Sequence, residues 1–323
     1  MTRWLVRRGL EAILTALAAV VVLIILVRLL PGDPLTAVLG DRAADPVTRA
    51  ALEHRWGIDR TLLQTVASFF GGLWHGDLSV SLSEQRPVTA VLADSLPPTL
   101  LLGGLTLLID FTVGLALGVW SALRPDSWRT RIVGACTLIG YALPSFVIGT
   151  LLTWIFAVKL GWTQTGGISD PLIAGDAPGS TVLLDHLNHL VLPLAAMVIA
   201  TLAIPIRQQR NAALATAAQP WVLAARARGV SPFAIAWRHC WRPALTPIVT
   251  LFGLWLPMLV AGAVFVEYVF NWPGMGLVIA HATASRDFPL VIGAGLILII
   301  VVQLGSLLSD VLYQVVDPTQ RTP

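Results

Sequence analysis

The sequence has very little charge for its length. Only 12% of its 323 residues are charged, whereas a typical soluble domain has about 25%, and 56% are hydrophobic. So few charged side chains cannot cover a water-facing surface, which excludes a soluble globular fold. Most of the surface must therefore face lipid.

Lysine is almost absent, and this excludes a nucleotide-binding loop. The chain has 21 basic residues, of which only Lys159 is a lysine. A P-loop needs a lysine between a glycine and a Ser or Thr, and Lys159 stands between Val158 and Leu160. Neither a G-x-S-x-G nor an H-E-x-x-H motif occurs. We expect no enzyme activity, and ATP that drives the protein must be hydrolysed by another polypeptide.

Side chains for disulfides and metal sites are also scarce. The two cysteines, Cys136 and Cys240, both fall on or near the predicted cytoplasmic side and leave little case for a disulfide framework. His186 and His189 would share one face of a helix, but a metal site needs three or four ligands. We therefore predict no metal and no bound cofactor in this chain.

Long apolar runs are what the sequence has instead. A membrane-spanning helix needs about 20 mostly apolar residues. The candidate spans are 9–30, 99–123, 132–158, 190–206, 247–270 and 290–314. They predict an all-α transmembrane bundle of six helices, in one membrane domain over 1–323. The first run is too long for the apolar region of a signal peptide and no small-residue cleavage site follows it, so we expect an uncleaved span.

The arginines predict how the bundle is oriented. Basic residues concentrate in three segments, 1–8, 124–131 and 207–242, and are sparse or balanced by acidic residues in the alternate loops. Short loops rich in arginine stay in the cytoplasm. We therefore predict cytoplasmic termini, a long external segment with short helices at 31–98 and a cytoplasmic loop at 207–246.

Asp110 is the one carboxylate near the middle of a predicted span. An ionised group there costs at least about 2.5–3.5 kcal/mol, so its side chain should face the bundle interior or a water-filled path, or its carboxyl should be protonated. A place on the substrate path, a hydrogen bond between helices and a proton-carrying role all remain open. Other path-lining candidates, chosen by residue type alone, are Gly103, Gly104, Thr106, Ser145 and Thr150.

The segment 219–247 predicts a helix, a sharp bend and a second short helix on the cytoplasmic face. Alanine and arginine favour helix up to Arg228, Gly229 suits a left-handed helix end, Ser231 an N-cap and Pro232 the first turn. Small residues would permit close docking of a partner, and arginines would anchor it. These candidates are Ala224, Ala225, Arg226, Arg228 and Arg238. An alternative is an arginine-rich helix lying on anionic lipid headgroups.

This segment resembles the cytoplasmic EAA loop of ABC-importer permeases. The two alanines and the glycine of that motif fall on Ala224, Ala225 and Gly229, while Leu223 stands where the motif has an acidic residue, as is common in peptide-type permeases. Further likeness runs in order along the chain, at 30–34, 56–59, 76–78, 143–146, 189–193, 269–276, 286–289 and 317–318. The whole chain is similar to the B-type permease of dipeptide and oligopeptide importers.

The resemblance implies a type I permease in a bacterial inner membrane. It implies a heterodimer with a second homologous permease, two ATPase subunits that bind ATP and Mg and dock on 221–242, and an external solute-binding protein. The implied cargo is a peptide, with nickel complexes or glutathione as alternatives. A proton-coupled secondary transporter that uses Asp110 is a rival reading, and an intramembrane hydrolase is another that lacks paired catalytic groups. No nucleic-acid partner is expected.

Overall fold

The computed structural model describes residues 2–29, 46–56, 59–173, 178–245, 248–249, 255 and 263–316. The secondary structure of these residues is helical, apart from turns and an isolated bridge between Val80 and Pro87. Four helices are long and apolar enough to cross a membrane, and a bent pair makes a fifth candidate. The all-α membrane fold is confirmed. The six crossings and the sides of the termini stay predictions, because most of the predicted fifth span, 247–270, lies outside the described residues.

The described residues form helices of very different lengths. They are α1 (Thr2–Leu29), α2 (Pro46–Trp56), α3 (Leu62–Trp74), α4 (Val88–Ile109), α5 (Leu115–Leu123), α6 (Trp128–Ala142), α7 (Ser145–Leu152), α8 (Gly179–Thr201), α9 (Ala203–Ala217), α10 (Pro220–Ala227), α11 (Pro232–Ala234), α12 (Trp241–Ala244), α13 (Met275–Ala284) and α14 (Phe288–Val316). Wider, π-helical turns occupy Asp110–Gly114, Thr153–Lys159 and Ile235–Cys240.

The chain forms two compact units, and the first comprises Met1–Thr99 and Pro273–Leu304. Its core forms where the apolar faces of α1 and α14 meet, with Val20 and Ile24 buried among residues of α14 and the rings of α3. Helices α2 and α3 lie within 31–98, where the pattern predicts short helices. Arg28 Nη2 donates to Thr65 Oγ1 at 2.6 Å and so joins α1 to α3.

The second unit comprises Leu100–Trp272 and Gly305–Pro323. Its main core is aromatic and aliphatic and includes Leu102, Met197, Trp255, Phe270 and Trp272. Two glycines allow helices in this unit to approach closely. A Cβ atom on Gly118 of α5 would lie 2.7 Å from Gln209 Cβ of α9, and one on Gly140 of α6 would lie 2.5 Å from the Ile199 oxygen of α8.

The predicted third span, 132–158, is broken into two helices. Helix α6 ends at Ala142, α7 begins at Ser145, and their axes differ by 105°. Pro144 causes the break, because proline has no N–H and disfavours helical geometry in the residue before it. Leu143 accordingly has an extended backbone, with φ −89° and ψ 135°.

Two further spans differ from their predicted limits. The helix of the second span begins at Val88 rather than at 99 and continues through the π-helical turn to Leu123. The predicted fourth span, 190–206, is only the middle of a helical stretch that runs from Gly179 to Ala217 with a turn at Leu202. Hydropathy marks the part of a helix that matches the apolar slab, and helical backbone can extend beyond it.

Candidate functional site

The helix, bend and second helix expected within 219–247 are present over 219–244, and the last two residues of the segment, 246–247, lie outside the described residues. Helix α10 begins with Pro220 in its first turn after Gln219, whose backbone is extended. Val222 and Ala225 are fully buried and hold one face of α10 against the protein. They are three residues apart, which places them on the same side of a helix. Ala224, Arg226 and Arg228 are exposed to solvent. Arg226 follows Val222 by four residues and so lies at the edge of the buried face, whereas Ala224 and Arg228 point away from it.

The bend after α10 is a Schellman motif centred on Gly229. The Val230 N–H donates to the Ala225 oxygen at 3.3 Å, and the Gly229 N–H donates to the Arg226 oxygen at 3.0 Å. Gly229 has φ +81°, a left-handed conformation that strains any residue with a Cβ atom. Ser231 then caps α11, since its Oγ accepts from the Ala234 N–H at 3.3 Å. The bend therefore fixes the angle between α10 and the residues that follow it.

The predicted docking residues divide into two groups. Ala224, Arg226, Arg228 and Arg238 are exposed, as are Gly229, Ser231 and Pro232. Ala225, in contrast, is completely buried and packs inward, so it supports the loop and does not offer a docking surface. The structure therefore narrows the predicted surface to the outer face of the loop.

Sequence reasoning missed an aromatic row on this outer face. Phe233, Trp237 and Trp241 are spaced four residues apart, with ring centroids 6.1 Å and 4.6 Å apart along the row. Phe233 and Trp237 are exposed, and so are Trp221 and Leu223 on α10. The four-residue spacing was the available signal. Exposed apolar patches of this kind mark surfaces that bind a partner or a membrane.

A cavity of about 290 Å³ lies behind the loop, between it and helices α5 and α9. Its lining is mainly aliphatic, with Arg226 and Cys240 as its polar members. Burial raises the pKa of the Cys240 thiol, and the positive charge of Arg226 opposes this to a smaller extent.

Asp110 is fully buried in the second unit, as its charge within a predicted span requires. It begins the π-helical turn between α4 and α5, and its Oδ2 accepts from Trp255 Nε1 at 3.4 Å. The other path candidates have unlike surroundings. Thr106 is buried and donates to the Leu102 oxygen at 2.8 Å, Ser145 is half-buried, and Thr150 is exposed. Their place on a path stays a prediction.

Two buried acidic residues organise loops. In the first unit, Asp287 Oδ2 accepts from Ser81 Oγ at 2.6 Å, from Ser83 Oγ at 2.8 Å and from the Ser83 N–H at 2.9 Å. In the second unit, Asp185 Oδ2 accepts from the Asp170 N–H at 2.9 Å, and its Oδ1 lies 3.2 Å from His189 Nδ1.

His186 and His189 both lie in helix α8, three residues apart as predicted, but they differ in burial. His189 is buried beside Asp185, whereas His186 is exposed. Within the part of the chain that the structure describes, no group of three or more His, Cys, Asp and Glu residues is placed to hold a metal ion.

Sequence comparison identifies the family. The profile of the binding-protein-dependent transport system inner membrane component family matches residues 114–322, which contain the whole loop with its bend at Gly229. The chain belongs to this family. The di/tripeptide transport system permease protein DppB of Pseudomonas aeruginosa is 36% identical over 310 residues, 92% of each chain. The oligopeptide transport system permease protein AppB of Bacillus subtilis is 30% identical over 319 residues, 98% of this chain and 99% of AppB.

The fold also has a solved relative among transporters. The structure of the inward-facing MetNI methionine ABC transporter is similar to this one, with a TM-score of 0.52 and 18% sequence identity. The match covers 71% of this chain and 97% of the MetNI chain. At that identity the likeness concerns the fold alone. Family and relatives together show that the chain is a permease subunit of an ABC importer, an inner-membrane transport component and not an enzyme. Membership in this family implies ATPase partners.

Proposed function

We propose that this permease forms half of the translocation path for peptides and that the outer face of 221–242 is where an ATPase subunit drives it. The observation that carries the coupling role is a rigid bend between two partly exposed helices, fixed by Gly229 at φ +81°. The peptide cargo is supported by the names of the two relatives, each matched over nearly its full length. Nickel complexes or glutathione are alternative cargoes of the same architecture.

The contacts behind the loop offer a way for a displacement to reach the membrane helices. Val222 of α10 packs with Ile235 and Cys240 beyond the bend, so α10 and the π-helical turn share one small core. Ala236 in turn packs against Val119 of α5 and Ala213 of α9. Side chains in direct contact transmit displacement, and these contacts connect the loop to α5 and α9 beside the cavity. Movement of α10 would therefore carry α5 and α9 with it.

The remaining partners belong to the same proposal. The permease would pair with a second homologous permease, receive cargo from an external solute-binding protein, and leave ATP and Mg to two ATPase subunits. It would cross the membrane six times with both termini in the cytoplasm, and it would bind no cofactor itself. Support comes from the family description, which names a binding-protein-dependent system, and from the arginines of 1–8, 124–131 and 207–242.

Replacing Gly229 tests the coupling role. No atom of this chain lies within 4 Å of a Cβ atom placed on Gly229, so within the permease a substitution acts through backbone strain of roughly 1–2 kcal/mol. We expect Gly229→Val to leave insertion intact and to lower ATP-driven peptide uptake at least tenfold. Gly229→Asn should retain most of the uptake, since asparagine tolerates the left-handed region. Uptake is measured with the complete transporter in proteoliposomes.

Gly76 provides the matched control for backbone strain. It has φ +73°, its added Cβ atom would also meet no atom within 4 Å, and it lies outside the loop. Gly76→Val should therefore keep near-normal uptake. Normal uptake by Gly229→Val would contradict the coupling role.

The rival function, a proton-coupled carrier, is tested with Asp110. Uptake that survives loss of the ATPase but disappears in Asp110→Asn would show such a carrier.

A further inference from the structure

The cavity behind the loop has no role in the function proposed above, although two of the predicted docking residues, Arg226 and Pro232, are among its lining residues. Val119 of α5 and Ala213 of α9 form its inner wall, and Val230 and Ile235 close it from the loop. Its volume of about 290 Å³ lies just below the range for pockets that hold drug-sized ligands, about 300–1,000 Å³. The cavity is therefore large enough for a small organic molecule.

The chemistry of the lining selects the kind of molecule. Arg226 is the one charged side chain among the lining residues, and it forms no ion pair with a carboxylate within the part of the chain that the structure describes. Because Arg226 is exposed, its guanidinium can stay hydrated at the mouth of the cavity while aliphatic walls lie behind it. Guanidinium binds carboxylate through two parallel hydrogen bonds.

We propose that this cavity binds a small amphiphilic carboxylate. The carboxylate pairs with Arg226, and a short alkyl chain lies between α5 and α9. An amphiphilic amine would bring a second positive charge to Arg226, and an alcohol would gain the apolar contacts without the ion pair. The bound molecule would contact residues on both sides of Gly229, namely Arg226 before the bend and Val230 and Ile235 after it.

Occupancy would therefore hold the bend in the conformation seen here. A ligand that binds one conformation of a loop more tightly than another shifts the population toward the first. The carboxylate would then slow ATP-driven transport, a consequence that rests on the proposed coupling role. Binding itself does not require that role, so it is tested separately.

Cys240 reports on binding because it lines the cavity. The complete transporter carrying Cys136→Ser is treated with N-ethylmaleimide at alkaline pH, since burial raises the pKa of the Cys240 thiol. We expect octanoate to slow the labelling of Cys240 at least fivefold with saturation, while octanol and octylamine have little effect. Arg226→Gln should abolish this protection. Arg228→Gln, two residues further along the loop and outside the lining, should preserve it.

A photoreactive alkyl carboxylate gives a second measurement that does not depend on the reactivity of the thiol. It should cross-link to the peptide that carries Val230 and Cys240, and octanoate should compete with it. Equal protection by octanoate, octanol and octylamine would overturn the proposal, and so would full protection in Arg226→Gln. A Cys240 that reacts, or a cross-link that forms, only after the ATPase is removed would show that the cavity belongs to the ATPase contact and would equally overturn it.

Equal protection of Cys136 in a Cys240→Ser variant would show a general effect of the amphiphile on the membrane and would also overturn the proposal. None of these readouts involves uptake. A failure here is therefore distinct from a failure of the Gly229 experiment.

Discussion

At the scale of single residues, Asp287 shows what a sequence conceals. The sequence contains it only as part of the segment 286–289, with nothing to indicate its partners. In the structure it is fully buried and accepts hydrogen bonds from Ser81 and Ser83, more than two hundred positions earlier. Such a pairing depends on how distant helices pack, which local patterns do not encode. Gly229 is the opposite case, because its neighbours Arg228 and Ser231 predict a left-handed helix end locally.

Asp287→Ala should destabilise the permease strongly. It leaves two serine hydroxyls and the Ser83 N–H without their carboxylate acceptor, and hydrogen bonds to charged groups are worth about 1.5–3 kcal/mol each. We expect a loss of at least about 3 kcal/mol, measured as a lower midpoint of thermal unfolding in detergent. Amide hydrogen exchange at Ser83 should also accelerate.

Asp94→Ala is the matched control for this carboxylate. Asp94 pairs with Arg86 at 2.7 Å, but both side chains are exposed to solvent. Exposed ion pairs contribute about 0–1 kcal/mol, so the control should hardly move the midpoint. Equal shifts in the two variants would show that the Asp287 cluster does not stabilise the first unit.

At the scale of elements, apolar runs predict the existence of helices better than their ends. The residues before 99 include Asp94, Pro97 and Pro98, which lower local hydropathy although the helix already begins at Val88. The bend between α6 and α7 arises from Pro144. The segments on both sides of Pro144 are mainly apolar, so the sequence shows one continuous apolar segment. A hydropathy profile measures the transfer free energy of side chains, so it does not detect the missing backbone N–H of a proline. The close approach of α5 and α9 at Gly118 could likewise not be predicted from the sequence, because it depends on which faces of the two helices pack together.

Gly118→Ala tests the contact between α5 and α9. Its added methyl group would lie 2.7 Å from Gln209 Cβ and 2.8 Å from the Ile206 oxygen. Overpacking of this kind costs typically about 1–3 kcal/mol. We expect a lower unfolding midpoint for purified protein and, if α5 and α9 relay the motion of the loop, weaker coupling of ATP hydrolysis to uptake.

Gly104→Ala serves as the control within α4. No atom lies within 4 Å of a Cβ atom at this position, so the change should be neutral or stabilising by up to about 1 kcal/mol through helix propensity. If Gly118→Ala were as stable as Gly104→Ala, the close approach of α5 and α9 would be incorrect.

At the scale of the whole molecule, composition alone indicates a membrane bundle, and the family comparison identifies it as a permease. The number of crossings rests on the apolar runs together with arginine placement, and the sides of the loops rest on arginine placement; both are open to direct measurement. In a background with Cys136→Ser and Cys240→Ser, Leu172→Cys should react with a membrane-impermeant maleimide in intact cells. Asp126→Cys should react only after permeabilisation. Both positions are exposed, so access to the thiol is not limited by packing.

The reverse pattern at these two positions would invert the predicted topology, and reaction of both cysteines in intact cells would exclude the predicted topology.

The residues of the translocation path are the least predictable part of the permease. Thr106, Ser145 and Thr150 were chosen by side-chain type, and the structure gives them three different degrees of burial. The rotation of each helix about its axis determines which residues line a path. Membrane helices are apolar on all sides, so the sequence does not indicate this rotation.

The glycines at the crossings of α5 with α9 and of α6 with α8 also shape the substitutions open to this permease. At Gly118 and Gly140 every other amino acid would overlap a carbonyl oxygen of the facing helix. Shortening a partner side chain cannot relieve such overlap, so a second-site change has no simple way to rescue the first. We therefore expect evolution to tolerate substitutions at Gly103 and Gly104 but not at Gly118 and Gly140. In a library of random variants selected for transport activity, Gly118 and Gly140 should remain invariant.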